Sequence, residues 1–197
     1  MRFSETNVTG AYLVDLEPIA DERGYFARAF CRREFAARGA VADLAQVNLA
    51  FTRRRATLRG LHYQAAPFEE AKFVRCIRGA AYVVALDLRP DSLTYLGWEG
   101  AELTAENRRA LYVPPGCAQG YQTLIDDAEL LYQMSQFYTP AASRGVRYDD
   151  PAFRIEWPLD VAVISQADLG WAPYTPVAGA STQLAASGSN GHEGKIS

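Results

Sequence analysis

Short hydrophobic runs alternate with clusters of turn residues along most of the chain. Val, Leu, Tyr and Phe dominate the runs, whereas Gly, Pro, Asp and Asn lie between them. Such runs are typical of β-strands, and the strand-helix alternation of parallel α/β folds is absent. We therefore predict an all-β fold, closed into a barrel or a sandwich that hides its strand edges. The clearest predicted strands are residues 12–14, 73–77, 82–86, 111–113 and 130–138.

Helical patterns are few and short. One covers residues 32–38 and stops before Gly39, and a second covers residues 105–109, where Thr104 is a suitable N-cap. Gly79 lies between two hydrophobic runs and predicts a tight turn that connects two strands. We expect these helices at the periphery of a single domain that spans residues 1–173.

One side of the last predicted strand carries two tyrosines. Side chains at every second position of a strand point to the same side. We expect Tyr132 and Tyr138 to line one cavity, although tyrosines at such positions could also simply fill the interior of a barrel. The full set on this side is Leu130, Tyr132, Met134, Gln136 and Tyr138.

The composition changes near the C-terminus. From residue 177 to residue 197, twelve of the 21 residues are Ala, Gly or Ser, and none is aromatic. A segment of this composition behaves as a flexible linker. We therefore expect residues 174–197 to form a flexible tail outside the folded domain.

Composition and charge narrow the possible functions. Hydrophobic residues make up 49% and charged residues 22%, which is typical of a globular protein rather than a disordered one. The formal net charge of −3 gives no basic field, so we expect no nucleic-acid partner. The longest apolar run, near residues 80–86, is far shorter than a bilayer span, and the first residues lack a signal-peptide pattern. These features predict a cytoplasmic protein without a membrane partner.

Metal and disulfide sites are not indicated. Cys31, Cys76 and Cys117 are widely spaced and contain no CxxC pair, so they predict neither a disulfide framework nor a zinc site. Of the two histidines, only His62 lies in the predicted domain, because His192 is in the tail. A metal centre inside a barrel normally needs several imidazoles and a carboxylate. We therefore expect no metal.

Single residues carry little specificity. His62 alone could be a structural core histidine, Lys72 a surface lysine at the start of a strand, and Asp168 an ordinary loop residue. The order and spacing of several motifs are more informative. They are Asp-Glu-Arg-Gly-Tyr-Phe at 21–26, Gln-Val-Asn at 46–48, Arg-Gly-Leu-His-Tyr-Gln at 59–64, Lys-Phe-Val-Arg-Cys at 72–76, Asp-Leu-Arg-Pro-Asp-Ser at 87–92, Tyr-Val-Pro-Pro-Gly at 112–116 and Glu-Trp-Pro at 156–158.

In this order the motifs resemble those of the dTDP-4-dehydrorhamnose 3,5-epimerase family, over residues 1–173. The resemblance implies a cupin-type β-jelly-roll, a homodimer, and an epimerase without a cofactor that acts on a nucleoside-diphospho-4-keto-6-deoxy-hexose. By motif, His62 corresponds to the general base, Tyr132 to the opposing proton donor, Asp168 to the carboxylate that orients the base, and Lys72 to the lysine near the C4 oxygen. The substrate-binding positions that it implies are Arg23, Phe26, Arg28, Gln46, Asn48, Arg59, Gln119 and Tyr138.

Three positions depart from the family pattern. Gln119 stands where the family usually has His, Ala167 where Lys commonly precedes the Asp, and Arg28 where dTDP-specific members often have Glu. A guanidinium only donates hydrogen bonds, so Arg28 would disfavour the N3–H of thymine and favour cytosine or guanine. It could equally turn towards the diphosphate, which would say nothing about the base.

The residue types suit proton transfer beside a ketone. Removal of the proton at C3 or C5 places negative charge on the C4 oxygen, and histidine is the side chain that titrates near neutral pH. A fixed ammonium such as that of Lys72 would stabilise the charge. Three alternatives remain open: a single-centre epimerase or keto-isomerase on a CDP- or GDP-linked keto-sugar, a non-catalytic sugar-nucleotide binding module, and a metal-dependent oxygenase of the same fold.

Overall fold

Two antiparallel β-sheets face each other and form the body of the fold. The computed structural model describes residues 1–177. One sheet has six strands in the order β1-β2-β10-β7-β12-β5, and the other has five in the order β13-β6-β11-β8-β9. The strands β3 and β4 form a separate two-stranded hairpin. This arrangement is a cupin-type β-jelly-roll, so the predicted fold class is confirmed.

The elements have the following bounds. The strands are β1 (Arg2–Glu5), β2 (Tyr12–Asp15), β3 (Ile19–Asp21), β4 (Gly24–Phe26), β5 (Gln46–Thr52), β6 (Leu58–Gln64), β7 (Lys72–Arg78), β8 (Ala80–Asp87), β9 (Trp98–Thr104), β10 (Ala110–Val113), β11 (Cys117–Thr123), β12 (Ala128–Met134) and β13 (Ser143–Gly145). The helices are α1 (Arg32–Ala36), a 3₁₀ turn (Pro140–Ala142) and α2 (Gln166–Leu169).

The core lies between the two sheets. Val74 and Leu130 from the six-stranded sheet and Val83 and Leu103 from the five-stranded sheet belong to one buried cluster. Burial of a side chain of this size is worth about 1.5 to 3 kcal/mol. These contacts hold the two sheets together.

One predicted strand ends earlier in the structure than its alternation pattern suggests. Strand β12 stops at Met134, so the prediction that it continues to Tyr138 was wrong. The hydroxyl of Ser135 accepts a hydrogen bond from the backbone of Ala71, and beyond this point the chain leaves the sheet for the 3₁₀ turn. The end of the strand could not be predicted from hydrophobic periodicity. The residues after Met134 include Phe137 and Tyr138, which are typical of strands, although they no longer pair with a neighbouring strand.

The helix predicted at residues 105–109 is absent. The Thr104 hydroxyl accepts the expected hydrogen bond from the Asn107 N–H, but the segment is a turn. Arg108 has a φ of 54°, which no α-helix accommodates. The other predicted helix forms over Arg32–Ala36 and ends before Gly39, which has a φ of 71°.

The C-terminal segment packs on the domain slightly past the predicted boundary. The Tyr174 and Tyr95 hydroxyl groups are 3.0 Å apart, and the Val177 N–H donates to the Tyr95 hydroxyl at 2.9 Å. The predicted flexible tail therefore overlaps four ordered residues, and its remainder, residues 178–197, lies outside the described residues. Within residues 1–177, none of the helices has the length and apolar character of a membrane span.

Candidate active site

A cavity of about 660 Å³ opens between the two sheets. This volume lies in the range of small-molecule binding sites. All four predicted catalytic residues line it: His62, Lys72, Tyr132 and Asp168. Five of the eight predicted substrate-binding residues also line it: Gln46, Asn48, Arg59, Gln119 and Tyr138.

His62 and Asp168 form a hydrogen-bonded pair. Nε2 of His62, on β6, is 2.6 Å from Oδ1 of Asp168, and Oδ2 of the same carboxylate accepts from the Gly60 N–H at 3.4 Å. A carboxylate only accepts hydrogen bonds, so Nε2 of the neutral imidazole carries the proton and Nδ1 keeps its lone pair. The pair thus has the form of a base whose tautomer is fixed by an acidic partner.

The position of Asp168 depends on how the C-terminal segment returns to β6. The Leu58 N–H donates to the Val163 carbonyl at 2.8 Å, which fixes this segment at the start of β6. Ser165 then caps the short helix α2, and its hydroxyl accepts from the Asp168 N–H at 3.0 Å. These contacts place Asp168, which is 106 residues from His62 in sequence, next to that histidine.

The environment of Asp168 favours its charged form. Burial by itself would raise the pKa of this carboxyl, but the hydrogen bond and charge of His62 and the Gly60 N–H outweigh burial, and the pKa is lowered. Asp168 is therefore an ionised hydrogen-bond acceptor at neutral pH. The alternative of an ordinary exposed loop residue does not fit its burial at 5% exposure.

Two glycines bring β6 and β11 unusually close beside the site. Gly60 has a φ of 116°, and a Cβ at this position would lie 2.7 Å from the Gly120 Cα. Only glycine avoids both the strained backbone and the collision. Because His62 and Gln119 are paired in register on these strands, the close approach sets the distance between their side chains.

The opposite wall of the cavity comes from β7, β12 and β5. Tyr132 lies between Val74 and Asn48 in register. Two residues further along each strand, Lys72, Met134 and Gln46 form a second row. The expectation that Tyr132 and Tyr138 share one cavity is confirmed, although Tyr138 reaches it from the loop after β12.

Lys72 is buried rather than a surface lysine. Its Nζ donates to the His62 carbonyl oxygen at 2.8 Å and lies 3.0 Å from Oε1 of Glu70. Burial lowers the pKa of the Lys72 ammonium, and the charge and hydrogen bond of Glu70 oppose this effect. The net direction is a lowered pKa, so the charge of Lys72 depends on its contact with Glu70.

Several cavity residues were not expected from the sequence. Glu70, Trp171 and Tyr63 line the cavity, and Ala167 does so where the family pattern has a lysine. An acid in a polar loop is usually solvated, so nothing in the sequence marked Glu70. The proximity of Trp171 to Asp168 in the chain was the one signal that could have indicated it.

Gln119 has an unpartnered donor. Its Nε2 is buried and has no hydrogen-bond partner within residues 1–177. A buried amide without a partner is rare and is often explained by a missing water or ligand. Its side chain can donate or accept a hydrogen bond but cannot transfer a proton as the histidine of the family pattern can.

Three predicted substrate-binding residues do not line the cavity of their own chain. Arg23 and Phe26 belong to the β3–β4 hairpin, and Phe26 is 72% exposed. Arg23 forms hydrogen bonds with Asp21 across the turn, and Arg28 lies 3.7 Å from Glu34. The structure thus separates these residues from the other nine predicted site residues.

No group of three or more His, Cys, Asp and Glu side chains is arranged to hold a metal ion in the part of the chain that the structure describes. The expectation that the protein needs no metal or cofactor stays a prediction. Elemental analysis of the purified protein measures whether it contains a metal ion.

Comparison with known proteins identifies the family. The family model of dTDP-4-dehydrorhamnose 3,5-epimerase matches residues 5–175. The chain belongs to this family. The dTDP-4-dehydrorhamnose 3,5-epimerase of Methanothermobacter thermautotrophicus is 38% identical over 87% of this chain and 94% of that protein. The family consists of epimerases, which are isomerases, so the chain is assigned to an enzyme family.

Two further relatives are similar to this chain over most of its length. The crystal structure of the Bacillus anthracis 3,5-epimerase, with TDP and PPi bound, has a TM-score of 0.83 and 32% identity, and covers 88% of this chain and 99% of that one. A dTDP-4-dehydrorhamnose 3-epimerase from Streptomyces niveus is 38% identical over 85% of this chain and 81% of that protein. These names fit the epimerase interpretation of the sequence and not a non-catalytic module or an enzyme for CDP- or GDP-linked sugars.

Proposed function

We propose that the protein epimerises a dTDP-linked 4-keto-6-deoxy-hexose at C3 and C5, in deoxysugar biosynthesis. The observation that carries this proposal is the placement of the His62–Asp168 pair and of Tyr132 on opposite sheets around one cavity. Inversion of a carbon centre requires a base on one face and an acid on the other. The two sheets supply these groups on two different walls.

The reaction begins with proton abstraction. Nδ1 of His62 takes the proton from C3 or C5, and the electron pair of the C–H bond moves into an enolate with its negative charge on the C4 oxygen. Asp168 stabilises the imidazolium that results. The ammonium of Lys72, already held by its hydrogen bond to the His62 carbonyl and by its ion pair with Glu70, stabilises the enolate oxygen without reorganisation.

Inversion is completed from the opposite face. The Tyr132 hydroxyl donates its proton to the carbon, and the enolate collapses to the ketone with inverted configuration. His62 then loses its proton to solvent and Tyr132 regains one, so the enzyme returns to its starting state. Because one ketone activates both neighbouring C–H bonds, the same groups can act at C3 and at C5 in turn.

The remaining polar residues of the cavity suit a nucleotide sugar. Arg59 supplies a permanent charge for the diphosphate, and Gln46 and Asn48 supply amides on the wall opposite His62. Tyr138 is 58% exposed at the rim, where an aromatic ring can stack on a nucleobase. The bound TDP of the Bacillus anthracis relative supports thymine as the base.

Deuterium exchange tests the proposed reaction. A dTDP-linked 4-keto-6-deoxy-hexose is incubated with the protein in heavy water, and NMR measures deuterium at C3 and C5 separately. We expect deuterium at both positions together with inverted product. Absence of exchange at both positions contradicts the proposed function, and CDP- and GDP-linked sugars measured in parallel check the nucleobase.

We further propose that the active form is a homodimer in which the β3–β4 hairpin of one subunit completes the cavity of its partner. The edge strand β5 supports this, since Val47, Leu49 and Phe51 are 55%, 60% and 45% exposed on one of its faces. An exposed apolar edge is normally covered. The exposed Arg23 and Phe26 are then free to contact substrate in the other subunit.

A complementation experiment tests the proposed exchange of hairpins. His62→Asn and Arg23→Ala subunits are co-expressed with different tags, and the mixed dimer is purified. If the hairpin acts in the partner's site, one of the two sites in the mixed dimer has neither substitution, and about half of the wild-type activity returns. If the hairpin acts within its own chain, both sites carry a lesion and activity stays low. A monomer in solution contradicts the dimer directly.

The proposal places the enzyme in the cytoplasm. Cys31, Cys76 and Cys117 are free thiols, and Cys76 and Cys117 are buried. Burial raises the pKa of the Cys117 thiol to about 12, which keeps it protonated and unreactive at neutral pH. Unpaired cysteines are typical of a reducing compartment.

A further inference from the structure

Lysine is nearly absent from this chain. The sequence contains 18 arginines but only two lysines, Lys72 and Lys195. Lys72 is therefore the only lysine among the described residues, and it lies in the cavity. Unlike arginine, whose charge is permanent, lysine changes its charge readily when it is buried. The charge state of Lys72 consequently depends on its neighbours.

Glu70 is the neighbour in direct contact. Oε1 of Glu70 lies 3.0 Å from Nζ of Lys72, with side-chain exposures of 2% and 9% respectively. Oε2 of the same carboxylate accepts from the Gln64 N–H at 3.1 Å. Both carboxylate oxygens are therefore used, one on Lys72 and one on the strand that carries His62.

The lysine is tied to the same strand. Its Nζ donates to the His62 carbonyl oxygen at 2.8 Å. An ammonium group has three N–H donors, and the hydrogen bond to the His62 carbonyl uses one of them. The ion pair with Glu70 holds the group from a second direction, and Lys72 borders the cavity.

The charged form of the buried Lys72 depends on the carboxylate of Glu70. An isolated buried ammonium is costly, and it commonly loses its proton instead. A carboxylate at hydrogen-bond distance favours the charged form. Among the described residues, Glu70 is the only acid that forms an ion pair with Lys72.

We propose that Glu70 is a positioning residue that keeps Lys72 protonated and holds its ammonium group towards the C4 oxygen of the substrate. The direction towards substrate rests on the proposed function, whereas the effect on the charge of Lys72 does not. Glu70 itself does not contact the reacting atoms. It acts through Lys72 and through the strand of His62.

Other titratable or charged groups line the same cavity as Lys72 or a smaller pocket on its other side. In the cavity these are Arg59, His62 and Tyr63 on β6, Tyr121 on β11, Tyr132 on β12, Tyr138 in the loop after β12, and Asp168 on α2. On its other side lies Tyr112 on β10. Asp168 is paired with His62, and none of the other groups forms an ion pair with Lys72 among the described residues. Glu70 is therefore the group whose removal changes the charge in contact with Lys72.

The small number of lysines makes a direct test possible. Protein labelled with ¹³C at lysine Cε gives two NMR signals, and Lys195→Arg identifies the signal of Lys72. We expect the titration midpoint of Lys72 to be about one to three pH units lower in Glu70→Gln than in the wild type. Glu69→Gln is the matched control, because it makes the same change at the exposed neighbouring residue. Equal midpoints in wild type, Glu70→Gln and Glu69→Gln overturn the proposal.

A second variant, Glu70→Asp, can be measured if Glu70→Gln does not fold. Glu70→Asp keeps the carboxylate but withdraws it by one methylene, so the Lys72 midpoint should fall by less than in Glu70→Gln. A midpoint identical to that of the wild type counts against the proposal. Circular dichroism confirms that each variant is folded before its titration is interpreted.

Activity gives an independent measurement. In Glu70→Gln the alkaline limb of the exchange rate should move to lower pH, and kcat should fall more than KM rises, because the interaction is strongest with the charge that develops in the transition state. Glu70→Asp should restore part of the rate. If wild-type protein shows no exchange, the proposed function fails, but the NMR titration still decides whether Glu70 controls Lys72.

Discussion

His62 and Tyr132 face the same cavity, but their surroundings differ. His62 is bonded to Asp168, which is itself held by the Gly60 N–H. For the Tyr132 hydroxyl, no hydrogen bond to another of residues 1–177 is present. The proposed base is therefore oriented by its own chain, whereas the proposed acid has no such partner among the described residues. This difference predicts that the two residues fail in different ways when they are substituted.

The largest effect is expected for His62→Asn. Loss of the base should lower both deuterium exchange and inversion by about 10² to 10⁴-fold. Steady-state NMR assays measure both rates. His192→Asn, at the only other histidine, is the matched control and should keep wild-type rates. Near-complete exchange activity in His62→Asn would mean that another group is the base.

Tyr132→Phe should separate the two half-reactions. Inversion should fall by about 10²-fold, because the proton from the opposite face is lost, whereas exchange by His62 should fall much less. The ratio of exchange to inversion, read from one NMR time course, is the measurement. Equal loss of both rates would identify Tyr132 as a residue that positions substrate instead.

Asp168→Asn tests the pre-organisation of the base. Partners that orient a histidine typically contribute about 10 to 100-fold, and we expect exchange and inversion to fall together by this amount. An unchanged rate would show that the hydrogen bond to Nε2 is dispensable.

Asp168→Asn should also change how the free energy of unfolding depends on pH in the acid range. The pKa of Asp168 is lowered in the fold, so its carboxylate stabilises the native state above pH of about 4 and loses this effect as the pH falls through the lowered value. The free energy of unfolding should therefore depend less on pH in Asp168→Asn between pH 7 and pH 3. Denaturant unfolding at several pH values measures it. Identical pH dependence in both proteins would contradict the assignment.

The smallest effect is expected at Gln119. Its Nε2 lacks a partner within residues 1–177, so Gln119→Leu removes a buried polar group and should not destabilise the fold. If substrate supplies the partner, the variant loses a hydrogen bond worth about 1 kcal/mol, and KM should rise about fivefold. Unfolding and kinetic measurements on one preparation compare both effects. A large loss of stability with unchanged KM would make Gln119 a structural residue.

Gln119→His compares the amide of this chain with the imidazole that the family usually has at this position. Residue 119 should add no ionisation to the pH profile of the wild type, because an amide does not titrate. A many-fold gain on a dTDP-linked substrate in Gln119→His would indicate that this protein has diverged from that substrate. A small change would show that a hydrogen bond suffices there.

Periodicity predicted most of the strands because hydrophobic residues mark buried faces. The strand around Tyr132 and the turn at Gly79 both formed as expected. The errors arose where local backbone contacts compete with periodicity. Arg108 adopts a positive φ that ends a helical pattern, and the chain leaves the sheet after Met134 while its alternation continues.

The sequence by itself determined the fold class, the family motifs, and the residue types of the site, including its single described histidine and lysine. These follow from chain chemistry and from local patterns of burial. The tertiary structure decided which groups meet. Asp168 reaches His62 across 106 residues, and Glu70 turns inward to pair with Lys72, because contacts between distant strands outweigh the preference of each acid for water. It also kept Arg23 and Phe26 away from their own cavity, since the β3–β4 hairpin pairs with neither of the two sheets that enclose it.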